Sequence, residues 1–222
     1  QIITIIDGSS GKSKEVTIPG RTGGHSSQKP GDKPDRHTAV RGDSKLLEMT
    51  RHGAIPKIGP DGARPAAVYA HPIQFPSGRK DAPRIAIVIG GLGISASGTA
   101  DAFSLLPAPV TFALSPYGAD IAKLAEHGNA ERHELLLQTP MEPFDYPDND
   151  PGPQTLLTSI TAEQNIERLH WLMSRFQGYV GIASYMGARF TSTESALAPV
   201  LNETAKRGLI FVDGSASPRS AA

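Results

Sequence analysis

Arg84-Ile85-Ala86-Ile87-Val88-Ile89-Gly90-Gly91-Leu92-Gly93 is the stretch on which the fold turns. Residues 85–89 are all apolar, and such an unbroken apolar run reads as a parallel strand covered on both faces. A glycine-rich turn follows it, then a helical pattern from Ser95 to Leu106. Further along, strands are expected over Pro109–Leu114, His133–Gln138, Tyr179–Ala183 and Leu209–Val212. Helices are expected over Gly118–Glu126, Ala162–Phe176 and Thr193–Lys206. Thr161 with Gln164, and Ser192 before Glu194, supply helix-start signals. This alternation predicts a parallel α/β sheet or barrel whose active face lies at the C-terminal ends of the strands.

Upstream of Pro83 the chain changes character. Ile2–Ile6 reads as a strand ending at the Asp7-Gly8 turn, with Val16–Ile18 as its hairpin partner. Pro19–Ser44 is mostly Gly, Pro, Ser and charged residues, too poor in apolar area to offset its ordering entropy, and is expected to be a mobile linker. In residues 45–80, Leu46, Leu47 and Met49 suggest one helical turn, and apolar residues scattered among prolines suggest a segment laid over a domain surface. The expected organisation is a short β segment over 1–18, a linker and surface segment over 19–82, and an α/β domain over 83–222.

Charge follows the same division. Residues 1–80 hold 13 Lys+Arg and 7 Asp+Glu, residues 81–222 hold 9 and 15, and the whole is formally neutral. Nothing in that balance points to nucleic acid. The chain has no cysteine, so disulfides and thiolate metal sites are excluded. No run of 18 apolar residues and no signal peptide is visible. The chain begins at Gln1 and reads as a fragment, so membrane attachment enters only as a removed N-terminal signal or anchor.

The expected strand ends place five tips together: Gly90-Gly91-Leu92-Gly93, Ser115-Pro116-Tyr117, Thr139–Pro143, Ser184–Arg189 and Asp213-Gly214-Ser215. Gly91-Leu92-Gly93-Ile94-Ser95-Ala96 fits a loose dinucleotide fingerprint, but the second strand ends Ala113-Leu114-Ser115 without the carboxylate a ribose site needs. A tight strand-to-helix turn explains it as well. Glu134, Leu136 and Gln138 share one strand face, so Glu134 needs a cation such as Arg189 or a place near solvent. Pro140–Pro153 holds four carboxylates, two aromatics and five prolines. Rigid proline loops bind at lower entropic cost, and carboxylates beside aromatic faces suit sugars. An acidic solvated loop is the alternative, and a calcium site lacks the remaining ligands of a known loop. No two of the seven histidines have metal-ligand spacing, and no nucleophile elbow is present.

Taken in order, these tips resemble the motifs of the divergent polysaccharide deacetylases. Ile85–Ile89 with Leu92-Gly93, then Pro109–Tyr117, then His133-Glu134 with Pro140-Met141-Glu142-Pro143 and Pro151–Leu156, carry the first part of the resemblance. Gly181, Tyr185–Thr191 and Phe211-Val212-Asp213 complete it across about residues 84–220. The resemblance implies a distorted (β/α) barrel that runs on past Ala222, so that the fifth strand lacks its next neighbour in this chain. It also implies a carbohydrate deacetylase activity, a cell-envelope glycan as partner, and a bacterial periplasmic or envelope location. In metal-dependent relatives an Asp pair after the first strand and two histidines hold a divalent ion, whose bound water attacks an N-acetyl carbon. Here those positions read Gly90, Gly91, Gln138 and Tyr185. The expectation is therefore a glycan-binding member with no metal and no cofactor, its groove lined by Gly90, Gly91, Gln138, Tyr185 and Arg189 together with Glu142 and Asp213. The alternative is an active deacetylase or hydrolase with Glu142, Asp145 or Asp213 as acid or base, and a nucleotide-binding α/β domain comes third.

Overall fold

The computed structural model describes residues 43–73, 78 and 83–222, together with the backbone of two strands nearer the N-terminus. The chain divides into two compact units, Gln1–Asp35 and Arg36–Ala222. In the first, β1 (Ile2–Ile6) and β2 (Ser13–Thr17) form an antiparallel pair with Ile2 opposite Thr17, as the β-branched runs predict. The expected mobile linker lies outside the described residues apart from Asp43 and Ser44.

The second unit opens with a 3₁₀ turn, Ser44–Leu46, and an antiparallel hairpin of β3 (Leu47–Thr50) and β4 (Gly53–Pro56). The helical turn expected at 46–49 is thus confined to its first residue. Leu46 and Ile55 are fully buried, while Met49, Val68 and Ile73 are exposed, so the segment adds a few side chains to the core. A short helix, α1 (Pro65–Val68), follows.

The main sheet contains β5 (Val88–Leu92), β6 (Thr111–Leu114), β7 (Leu135–Met141), β8 (Gly181–Met186) and β9 (Ile210–Val212), in that order and all parallel. Between them run α2 (Ala96–Leu105), α3 (Ile121–Ala130), α4 (Ala162–Met173), α5 (Ala188–Thr191) and α6 (Glu194–Lys206). The α/β class read from the alternation is the class observed. Among the described residues the sheet is open, with β5 and β9 at its edges.

Its two faces differ. Leu135, Leu137 and Met141 of β7 pack with Phe112, Leu114, Ile182, Leu169, Phe190 and Val200 into the main core beneath the helices. On the other face, Ala113, Leu136, Val180 and Ala183 form a small cluster covered by Tyr69, Ala70 and Val212. Period-two alternation puts Gln138 and Pro140 on that thinner side with Leu136.

β5 departs from its expected form. Ile85 is 90% exposed and Ile87 52%, because the run is a sheet edge and not a strand covered on both faces. The strand begins only at Val88 and carries Gly90 and Gly91 within it. Register jumps there: Ile89 faces Phe112 and Leu92 faces Leu114. Gly91, at φ +76°, absorbs the extra residue, a conformation that favours glycine.

Candidate functional site

β7 and β8 extend farther than their sequence pattern suggests. Residues 138–141 pair with 183–186 in an unbroken register, so Gln138 and Tyr185 lie within strands instead of beyond them. Pro140 cannot donate to the ladder, but its carbonyl accepts from the Leu156 amide at 3.0 Å, which draws the returning loop against the strand.

Gln138 reaches from β7 across the sheet to β5. Its Oε1 accepts from the Gly91 amide at 2.9 Å. That backbone donor needs an acceptor, which fixes the amide so that Nε2 is the donating end. Nε2 lies 3.0 Å from where a Cβ on Gly90 would stand. The Gln138 amide thus occupies room that a side chain at position 90 would need.

Around it lies a cavity of about 200 Å³ lined by Gly91, Ile94, Ser115, Pro116, Tyr117, Gln138, Pro140, Pro151 and Tyr185. None of these side chains is charged. Tyr117 joins β6 to the proline-rich loop: its hydroxyl accepts from the Gln154 amide at 3.2 Å. Burial pushes the Tyr117 phenol above its usual range, the Gln154 bond and Arg168 acting the other way and Asp150 with burial. It stays protonated and keeps a proton to donate. A larger groove of about 660 Å³ runs between α2 and α3, walled by Phe103, Leu124 and Ile94. We take the smaller cavity as the site because polar groups from four separate strand ends converge there, as recognition requires.

The other expected site residues lie apart from this lining. Glu142 is buried, and its Oε2 accepts from both the amide and the hydroxyl of Thr158, at 2.5 and 2.7 Å. Arg189 pairs with Glu142, Nε to Oε1 at 3.6 Å, and donates to the Phe144 carbonyl. Glu134, for which Arg189 was one expected partner, is therefore not the carboxylate it pairs with. Asp213 accepts from the Ser215 amide at 3.0 Å and lies 3.4 Å from the Ser184 hydroxyl. Gly90, Gly91, Gln138 and Tyr185 come together, whereas Glu142 and Asp213 belong to separate structural networks. Tyr117, Ser115 and Pro151 are lining residues that the sequence reading did not place in the site. Ser115-Pro116-Tyr117 was visible as a strand tip, but the loop contacts of Tyr117 are long-range.

The residues at this position do not fit a divalent ion. Two are glycines, Gln138 Oε1 is already bonded to Gly91, and the remaining group is the Tyr185 phenol. Among the described residues, no three His, Asp or Glu side chains gather as a metal site would require.

A cavity at the C-terminal strand ends of a parallel α/β sheet is the place where open α/β folds bind ligands. The sequence pattern of the divergent polysaccharide deacetylases matches residues 87–222, and this chain belongs to that family. A solved relative is the uncharacterized protein ATU2773 from Agrobacterium tumefaciens C58, 42% identical with a TM-score of 0.71. The match covers 75% of this chain and 66% of that one, so this chain spans just under two thirds of the relative's length. No curated protein matches.

Proposed function

We propose that this protein binds a cell-envelope glycan in the Gln138 cavity and that it has lost the divalent-metal chemistry of its relatives. The observation that carries this reading is the fixed Gln138 amide. It turns a neutral N–H donor toward the space that a side chain at position 90 would fill. Tyr117 and Tyr185 add phenol donors and aromatic faces, and Ser115 adds a hydroxyl. Such a lining suits a neutral, acceptor-rich group such as the acetamide of an N-acetylated sugar. A free ammonium would find no counter-charge in it. Family membership supports a polysaccharide ligand. A bacterial envelope location is part of the proposal.

The test is calorimetric titration with N-acetylated and de-acetylated β-1,4-linked glucosamine oligomers. The acetylated form is expected to bind more tightly. Gln138→Ala and Tyr185→Ala are each expected to weaken it by about 1–3 kcal/mol, the range for a lost buried hydrogen bond. Equal affinity for both forms, or no effect of either substitution, would place the ligand elsewhere.

A further inference from the structure

We infer that Glu142, which sequence alone offers as an acid or base, is instead the positioning residue of this cavity. The inference rests on the glycan reading for what the cavity holds, but its geometry stands independently.

Glu142 is the point at which three segments meet. It follows directly on β7, which carries Gln138 and Pro140. Its amide donates to the Leu156 carbonyl at 2.9 Å, and Leu156 donates back to Pro140 at 3.0 Å. The carboxylate then holds Thr158 through both amide and hydroxyl. Both ends of the loop 143–157 are therefore fixed at one residue. Between those ends, Pro151 lines the cavity, and Gln154 donates to Tyr117, which also lines it.

The third segment is the one that carries Tyr185. The Glu142 carbonyl accepts from the amides of Arg189 and Phe190, each at 3.1 Å, at the start of α5. Arg189 turns back to the carboxylate and to the Phe144 carbonyl. One oxygen of the carboxylate is bonded twice to Thr158, and the other faces a guanidinium. Glu142 is not among the lining residues. Those two facts suit a pin that sets the spacing between the Gln138, Pro151 and Tyr185 walls, and they leave no free oxygen directed at a ligand.

The experiment compares the full chain with Glu142→Gln, Glu142→Leu and Thr158→Val. Each is titrated with an N-acetylated β-1,4-glucosamine tetramer and followed by amide exchange. Gln retains an acceptor for Thr158, so it is expected to bind within about threefold of the parent. Leu retains bulk but no acceptor, so about tenfold weaker binding is expected, with faster exchange at Thr158 and across 143–157. Thr158→Val, which leaves the carboxylate in place, is expected to weaken binding in the same direction by less. It also decides the matter if the Leu variant does not fold. Restoration by Gln of both binding and loop exchange is the signature of positioning, since Gln keeps the acceptor for Thr158 that Leu lacks. Parent-like binding in the Leu and Val variants, or loss of binding with unchanged loop exchange, would overturn the inference. If the parent itself binds no tetramer, the glycan reading fails. Loop exchange then decides on the pin alone: faster in Leu and restored in Gln supports it, and unchanged in Leu overturns it.

Discussion

Gly152 shows how much one atom can decide. A Cβ there would stand 2.4 Å from the Tyr117 ring, and the residue's φ is +139°, so both space and backbone require glycine. Gly152→Ala is expected to lower stability by about 1–3 kcal/mol, read as a reduced denaturant midpoint, and to loosen the loop against Tyr117. Tyr117→Phe keeps the ring and removes the acceptor for Gln154, so a loss of about 1 kcal/mol is expected in the same measurement. At this scale the sequence was only partly legible. Gly90, Gly91, Gln138 and Tyr185 could be named together through the family resemblance, although the strand pattern alone ended β7 and β8 too early. The Gly152–Tyr117 contact spans 35 positions and has no local signature. Glu142 was legible as a conspicuous carboxylate, but not as one consumed by Thr158 and Arg189, because residue type does not reveal partners.

Elements carry the buried charges. Arg207, at the end of α6, donates through Nε to Glu203 at 2.6 Å and through Nη1 to the Pro56 carbonyl at 2.9 Å and to Glu48 at 3.2 Å. His170 of α4 also contacts Glu203, at 2.7 Å. This network ties the β3–β4 hairpin to α4 and α6. Burial opposes the Glu203 charge, but the His170 bond and Arg207 together hold its carboxyl below the usual range. A depressed carboxyl stabilises the fold above its unfolded pKa of 4.5, and that contribution fades as pH falls through the lower folded value. The stability gap between the parent and Glu203→Gln, measured in urea, is therefore expected to be full at pH 7 and to shrink below about pH 4.5. The β5 edge makes a different prediction. Ile85 and Ile87 are exposed next to β5, which is an edge of the sheet among the described residues, the feature that promotes edge-to-edge association. Ile87→Lys is expected to reduce self-association in sedimentation without lowering the unfolding midpoint. The sequence marked this run as a strand but gave it two covered faces, since an apolar run reports apolarity and not which neighbours are present.

For the molecule as a whole, the order of strands and helices was legible because alternation and caps are local. The Thr161–Gln164 capping box, for example, forms as read. The core role of Ile55 was not legible, because it is a sparse apolar residue in β4, which packs on the distant helix α4. Ile55→Ala is expected to cost about 2–5 kcal/mol, a core-sized loss that a surface segment would not show. On the proposed reading, this deacetylase-family sheet recognises a neutral glycan through Gln138, Tyr117 and Tyr185 and not through a metal ion. The most direct measurement is calorimetric titration of the N-acetylated tetramer into protein dialysed against a chelator, then repeated with zinc restored. The account predicts the same affinity in both and no stoichiometric zinc on the protein. Binding that appears only with zinc, at one ion per chain, would contradict it.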